Sequence, residues 1–593
     1  MALARIQGDR IVLESEWRER ELCKMVPGCK WDEAARLWWA PLSWATCVAL
    51  RGVFEEHLEI GPDLNAWAAT QVEERVRPCM ELRQASETDT PVYGSAVSEP
   101  RPAPGPDDLF LEPRQAVAVE FLATARRALL GDGMGSGKTI EAICAVEELA
   151  VREGAEAVFP CLVVCNNSMV YGWEEELNKW APHRSTAVLK GGAATRRKLI
   201  ESGPDYLVIN WESLAAHTRL AGYGSIALSD KEKEPKEFNA AGIRTVVADE
   251  AHRAKNPKAK QTRAWWWVSW EADNSIAMSG TPTDKTPESL WSIMHGVAPD
   301  EWPAKSPWVD RYCTKSWGYF GGLEVNGLRG DTREELYKYL DPRFIRRPTQ
   351  VVCPDIAEKL PPQIRYVDLP PKQRRAYDAM KKEMLAELEA GVLLATDPIT
   401  KLLRLHQLAS AYGEVVEETV DEHGKLRQTY RMEDPSVKAD ALLDLVEELD
   451  EDPAVIFARH RQLIDVCAAR LEKAGVPYGL LTGAVTPLDR AQNVQRFQAG
   501  ELPIMLCTLG AGAESVTLTR ARHVGFLQRG SLLQNKQAED RVWRRGQDRP
   551  VQPIIWVARN TVEEAVIERG GDAEEAFQDV VRDEETLRRM LTT

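Results

Sequence analysis

The chain has 593 residues, 44% of them apolar and 28% charged, with a net charge of −16. That length can hold roughly three or four domains, and the acidic balance excludes binding nucleic acid through a global basic field, so any such contact must use local patches. Eleven cysteines without a C-x-x-C pair suit a reducing compartment and argue against structural zinc, while no apolar run reaches the ~18 residues of a membrane span and the N-terminus has no secretory pattern.

In chain order, residues 5–13 read as a hairpin turning at Gly8-Asp9, and residues 26–44 as two short strands around an Asp-containing turn. Ser43 is placed to cap a helix over 44–53. Lys30, Trp31, Arg36 and Trp38 are candidates for stacking on bases or gripping phosphate. The alternative is that these tryptophans are the core of a small unit, since ~70 residues need large side chains to stabilise them. From 71 to 108 the chain turns polar and Pro-rich, as in Pro100-Arg-Pro-Ala-Pro104, and reads as a semi-extended linker.

Leu111-Glu-Pro-Arg-Gln115 precedes an amphipathic helix. The apolar run Ala128-Leu-Leu130 then leads into Gly131-Asp-Gly-Met-Gly-Ser-Gly-Lys-Thr139 and a helical pattern over 140–149. Strand, Gly-rich turn and helix N-terminus are the order of a phosphate-binding loop. Gly133, Gly135 and Gly137, with Ser136 between them, let backbone amides converge on an anion. Lys138 supplies a point charge for β/γ-phosphates, and Thr139 offers a hydroxyl to Mg²⁺. Asp132 stands where the strict template has glycine. A buried strand, 161–165, is followed by Asn167 and Ser168 in a loop suited to phosphate contact. The β-branched run at 246–248 ends in Asp249-Glu-Ala-His252, placing Asp249 to hold a metal and Glu250 to orient and deprotonate water. Trp265, Trp266 and Trp270 sit in a helical pattern that reads as core, and strand 275–278 ends in Ser279-Gly-Thr281-Pro.

Arg346-Arg347 is expected either to help close a cleft or to form a solvated basic turn. Strands at 454–458 and 504–508 follow, and then Gln537-Ala-Glu-Asp-Arg541-Val-Trp-Arg544-Arg-Gly-Gln547. Arg541 and Arg544 are three apart and share a face if helical; arginines of this kind stabilise charge on a transferred phosphoryl group.

The three charged segments, in this order and at these distances, resemble motifs I, II and VI of superfamily 2 helicases. Asp-x-Met-Gly-x-Gly-Lys-Thr is the form found in Swi/Snf-like DNA translocases. The first 70 residues are similar to the HARP-like domains of annealing helicases. The resemblance implies an α/β fold with two tandem RecA-like parallel-sheet lobes and a small N-terminal α+β domain. Its organisation would be a DNA-structure-recognition domain over 1–70, linker 71–108, first lobe 109–345, interlobe brace 346–440, second lobe 441–570 and a charged helical tail 571–593. It implies ATP and Mg²⁺ as cofactors, with Gln115 on adenine and Gln547 also at the nucleotide, and with the groups near Lys138 meeting Arg541 and Arg544 across a cleft. Asn167, Ser168 and Thr517 would touch DNA, while Ser279, Thr281 and His252 would couple hydrolysis to it. The implied partner is DNA as duplex, fork or single-strand/duplex junction, with no membrane partner, in the cytoplasm of a bacterial or phage-infected cell. The implied activity is a DNA-dependent ATPase that translocates and remodels or anneals forks; a strand-separating helicase and an ATP-gated binding switch are the alternatives. Two features depart from the family pattern: Ser515 stands where glycine is usual, and Trp-Asn-Pro is replaced near Gly530-Ser-Leu.

Overall fold

The computed structural model describes residues 2–88, 101–104, 109–220, 229, 234–282, 287–317, 323–347, 349–353, 355–383, 385–388, 391–394, 398–420, 426–449, 452–510, 516–564 and 567. The expectations for the tail at 571–593, for Ser515 and for most of the Pro-rich stretch fall outside these residues. The chain divides into two compact units, residues 1–354 and 355–574.

The first unit begins with a five-stranded mixed sheet in the order Lys30–Asp32, Leu37–Pro41, Arg10–Glu14, Ala2–Gln7, Leu58–Ile60. Its first hairpin turns at Gly8, whose φ of +64° favours a residue without a Cβ. The Ser43 hydroxyl accepts from the Thr46 amide at 3.2 Å and caps helix Trp44–Phe54, as the sequence predicts. Alternation along the strands sends Ala2, Ala4, Ile11 and Leu13 inward against Ala49, Leu50 and Phe54 of that helix. The core is therefore mostly aliphatic. Trp31 stays 47% exposed, so the core reading does not hold for it, whereas Trp38 packs half-buried against this core.

Residues 62–88 form a helical rod: Pro62–Gln71, a π-turn over Val72–Val76, and Arg77–Thr88. The linker expected from residue 71 thus starts too early. The π-turn lies just before Pro78, whose ring removes an amide donor from the ladder. Cys79 and Leu82 pack into the core of the sheet that follows. Their spacing is that of a helix face, masked in the sequence by the polar and charged residues around them, such as Glu81, Arg83 and Gln84.

That second sheet has seven strands, all parallel, in the order Thr186–Val188, Tyr206–Asn210, Cys161–Cys165, Thr245–Ala248, Asn274–Met278, Arg127–Leu130, Phe344–Ile345. Continuous apolar runs such as Cys161-Leu-Val-Val-Cys165 are buried throughout because helices cover both faces. Trp265 and Trp266 are buried, and Trp266 stacks on Trp270 at 5.8 Å, in agreement with their expected core role. The parallel register brings Leu130, Ala248, Met278 and Ile345 to the same end of the sheet.

The second unit holds a six-stranded parallel sheet, Gln363–Val367, Gln552–Ala558, His523–Phe526, Ala454–Ala458, Ile504–Thr508, Tyr478–Leu481. Two RecA-like parallel lobes and a small α+β domain are thus present as the resemblance implied. The region expected as an interlobe brace divides differently. Residues 346–354 belong to the first unit, and from residue 355 the chain supplies the second lobe's edge strand and core, including Tyr377, Leu408 and Leu442.

Candidate functional site

In a parallel α/β sheet the carboxyl ends of the strands and the helix N-termini facing them form the ligand-binding edge. Four strand ends of the first lobe deliver the loops 131–137, 249–252, 279–282 and 346–347 to that edge. Gly135 and Gly137 take φ of +76° and +94°, closing the phosphate loop onto helix Lys138–Glu153. The Lys138 ammonium donates back to the carbonyls of Asp132 at 2.9 Å and Gly133 at 2.6 Å, and the buried Ser136 hydroxyl donates to Gly133 O at 2.9 Å. Gln115, 4% exposed, uses Oε1 to accept from the Glu112 amide. Its buried Nε2 has no protein partner and lies 2.8 Å from where a Cβ at Gly137 would be. An orphaned buried amide beside the loop fits a ligand with an acceptor there.

Asp249 and Glu250 follow strand Thr245–Ala248. The indole N–H of Trp173 donates to Asp249 Oδ2 at 3.1 Å, and that of Trp211 to the Asp249 carbonyl at 2.9 Å. Burial, with the neighbouring Glu250 carboxylate second, pushes the Asp249 carboxyl up to about 6. Glu250 adopts φ +51°, a left-handed conformation that costs a non-glycine residue about 1 kcal/mol or more and is typical of functional loops. Its carboxylate lies 3.1 Å from His252 Nδ1, which in turn is 3.3 Å from Ser279 Oγ. Ser279 Oγ accepts from the Thr281 amide at 3.2 Å. The candidate water activator and the candidate coupling residues His252, Ser279 and Thr281 therefore form one chain of contacts. No cluster of three or more His, Cys, Asp or Glu fit to hold a metal occurs among the described residues. Thr139 and Asp249 are hard oxygen donors that suit Mg²⁺ completed by phosphate and water rather than by a protein cage.

Asn167 and Ser168 are exposed after strand Cys161–Cys165, and Lys190 donates to Asn167 Oδ1 at 2.5 Å, adding a cation beside them. In the small domain Trp31 and Trp38 are a cross-strand pair with centroids 5.5 Å apart. Trp38 is half-buried, whereas Lys30, Trp31 and Arg36 are exposed.

Three expectations are corrected. Helix Leu532–Glu539 ends before Arg541, so Arg541 and Arg544 are carried by turns and not by one helical face. Arg541 is 4% exposed, and the Arg544 guanidinium donates to Thr517 Oγ1 at 2.9 Å. Thr517, expected on DNA, is half-exposed and also holds this arginine. Burial lowers the Arg544 pKa, against a partial counter-effect from Asp540. Gln547, expected at the nucleotide, is 1% exposed with Nε2 donating to Ala521 O at 2.8 Å and Oε1 accepting from the Arg549 amide at 3.2 Å. Both ends of its amide are engaged in holding the turn.

The third correction concerns the solvated basic turn: Arg347 is buried, and the half-exposed Arg346 also turns toward the phosphate loop. Arg346 Nη1 donates to Gly131 O and Gly280 O, each at 3.0 Å. Arg347, 1% exposed, forms ion pairs with both Asp132 and Glu141. Asp132 in the glycine position was the available signal, because a carboxylate flanked by apolar chain requires a buried counter-charge. Trp173 and Trp211 were likewise missed as supports of Asp249. A buried indole has one donor that needs an acceptor, and sequence does not say which.

Residues 77–412 match the family model of the SNF2-related domain, and residues 437–546 that of the helicase conserved C-terminal domain. The chain is 25% identical over 449 residues to the Bos taurus DNA annealing helicase and endonuclease ZRANB3, covering 74% of this chain and 37% of that protein. It is 27% identical over 470 residues to the putative ATP-dependent helicase/translocase YwqA of Bacillus subtilis, covering 77% of this chain and 47% of that one. It therefore spans less than half the length of these two curated relatives. Among solved structures, the Sulfolobus solfataricus SWI2/SNF2 ATPase core in complex with dsDNA matches at 23% identity and a TM-score of 0.33, over 79% of this chain and 96% of that one.

Proposed function

Since the chain belongs to the SNF2-related domain family, whose model matches residues 77–412, we propose that it is a DNA-dependent ATPase that translocates on DNA and remodels or anneals forked structures. The observation that carries this reading is the convergence of Lys138, Asp249 and the Glu250–His252–Ser279 contacts at one sheet edge. Lys138 leaves the loop carbonyls to meet the phosphates, and the loop amides hold their oxygens. Thr139 and Asp249 would hold Mg²⁺, which would supply positive charge against the phosphates. Glu250 orients the attacking water and takes its proton, and His252 keeps that carboxylate in register with Ser279. Arg541 and Arg544 of the second lobe supply positive charge for the transferred phosphoryl group. Gln115 Nε2 donates to the base. The relatives named for annealing and translocation support the finer reading, as do Lys30, Trp31 and Arg36, an exposed basic and aromatic set able to stack on bases or meet phosphate.

Steady-state ATP hydrolysis with single-stranded DNA, duplex, fork and RNA tests the reading. Duplex or fork DNA is expected to raise the rate. Stimulation by RNA alone would overturn it, and background turnover with every polymer would leave a nucleotide-gated switch instead.

A further inference from the structure

We propose that Arg347 is a positioning residue for the nucleotide: a single buried guanidinium that fixes the base-side helix, the phosphate loop and the helix behind the loop relative to one another. The proposal deepens the ATP-site reading and rests on it. The Arg347 backbone amide donates to Asp132 Oδ1 at 2.7 Å and its Nε to Oδ2 at 3.0 Å, so the loop carboxylate is held by backbone and side chain together. Nη2 donates to Glu141 Oε1 at 2.6 Å, one turn into helix Lys138–Glu153. Nη1 donates to the carbonyl of Arg114, the residue before Gln115. Arg346 extends the hold to Gly131 O and Gly280 O, and Thr349 Oγ1 lies 2.6 Å from where a Cβ at Gly133 would be.

Lys138 gives this arrangement a task. Its ammonium now satisfies the Asp132 and Gly133 carbonyls. Once it turns to phosphate the Asp132 carbonyl loses that donor, while Gly133 O keeps only Ser136 Oγ, and the loop would be free to relax away from the ligand. Arg347 holds Asp132 by its carboxylate rather than its carbonyl, so the grip persists when Lys138 departs. Only a fork of planar donors can serve three acceptors on three elements; a lysine ammonium keeps the charge but lacks that reach.

The test is the affinity of the full chain for a fluorescent ADP with Mg²⁺, measured without DNA, together with KM and kcat for ATP and the thermal midpoint. Arg347→Lys is expected to stay folded with a lowered thermal midpoint, to weaken ADP about tenfold or more, and to raise KM by far more than it lowers kcat. Wild-type affinity in a folded Arg347→Lys would overturn the proposal. Should that variant fail to fold, the neutral combination Asp132→Asn, Glu141→Gln, Arg347→Gln removes the buried charges together. Folded and weak in ADP, it supports the proposal; folded with wild-type affinity, or unfolded as well, it makes the cluster a folding element and overturns it. A wild-type chain that binds no ADP at all defeats the ATP-site reading itself, whereas one that binds ADP no better than its folded variants defeats only the role given to Arg347.

Discussion

Arg347 and Arg544, each the second arginine of a close pair in the sequence, are held in opposite ways. Arg347 lies between two carboxylates of its own lobe and is fully desolvated with them. Arg544 has a neutral hydroxyl, Thr517, as its hydrogen-bond partner, and no carboxylate among the described residues closes an ion pair with it. A guanidinium neutralised by its own chain is spent on structure. One steadied by a neutral acceptor keeps its charge for something that arrives later.

The contrast breaks if these two arginines respond alike to substitution. Arg544→Ala is expected to slow hydrolysis about 10³-fold or more, by analogy with arginine fingers, with nucleotide affinity and urea midpoint near wild type; a twofold loss would mean another group reaches the phosphate. Arg347→Met should instead cost stability, about 3–5 kcal/mol, because two carboxylates remain buried without their counter-charge. Chemical denaturation followed by tryptophan fluorescence measures this, and a loss under ~1 kcal/mol would show the cluster to be solvated. Arg346→Ala, which strips a donor from two carbonyls, is expected to cost about 1–3 kcal/mol in the same measurement. Thr517→Ala sharpens the contrast at its small end. Losing one hydrogen bond worth about 1 kcal/mol should lower kcat roughly fivefold with no change in fold, and an unchanged kcat would mean Arg544 needs no anchor.

Elements defined by short-range pattern were readable from the residues alone. The glycines of the phosphate loop, the apolar strand runs before it and before Asp249, and the Ser43 cap all depend on neighbours within a few positions, and the structure places them as expected. What escaped depends on distant partners. Arg347 meets Asp132 across 215 positions, and no local pattern tells a basic turn in solvent from one that has found a carboxylate. Residues 71–88 were misread because composition was weighed over periodicity, although Cys79 and Leu82 keep helical spacing. Arg541 and Arg544 satisfied a helical spacing in a segment that is turns, since three positions apart is also compatible with irregular backbone.

The rod over 62–88 has a mechanical corollary. Arg75 of the rod is ion-paired with Glu301, and Arg83 donates to Asp341 at 3.0 Å and to the carbonyl of Phe344 at 2.8 Å. Phe344 is three positions from Arg347 along an extended stretch. A displacement of the rod would thus reach, through Phe344, the short peptide whose Arg347 amide holds the glycine-rich loop.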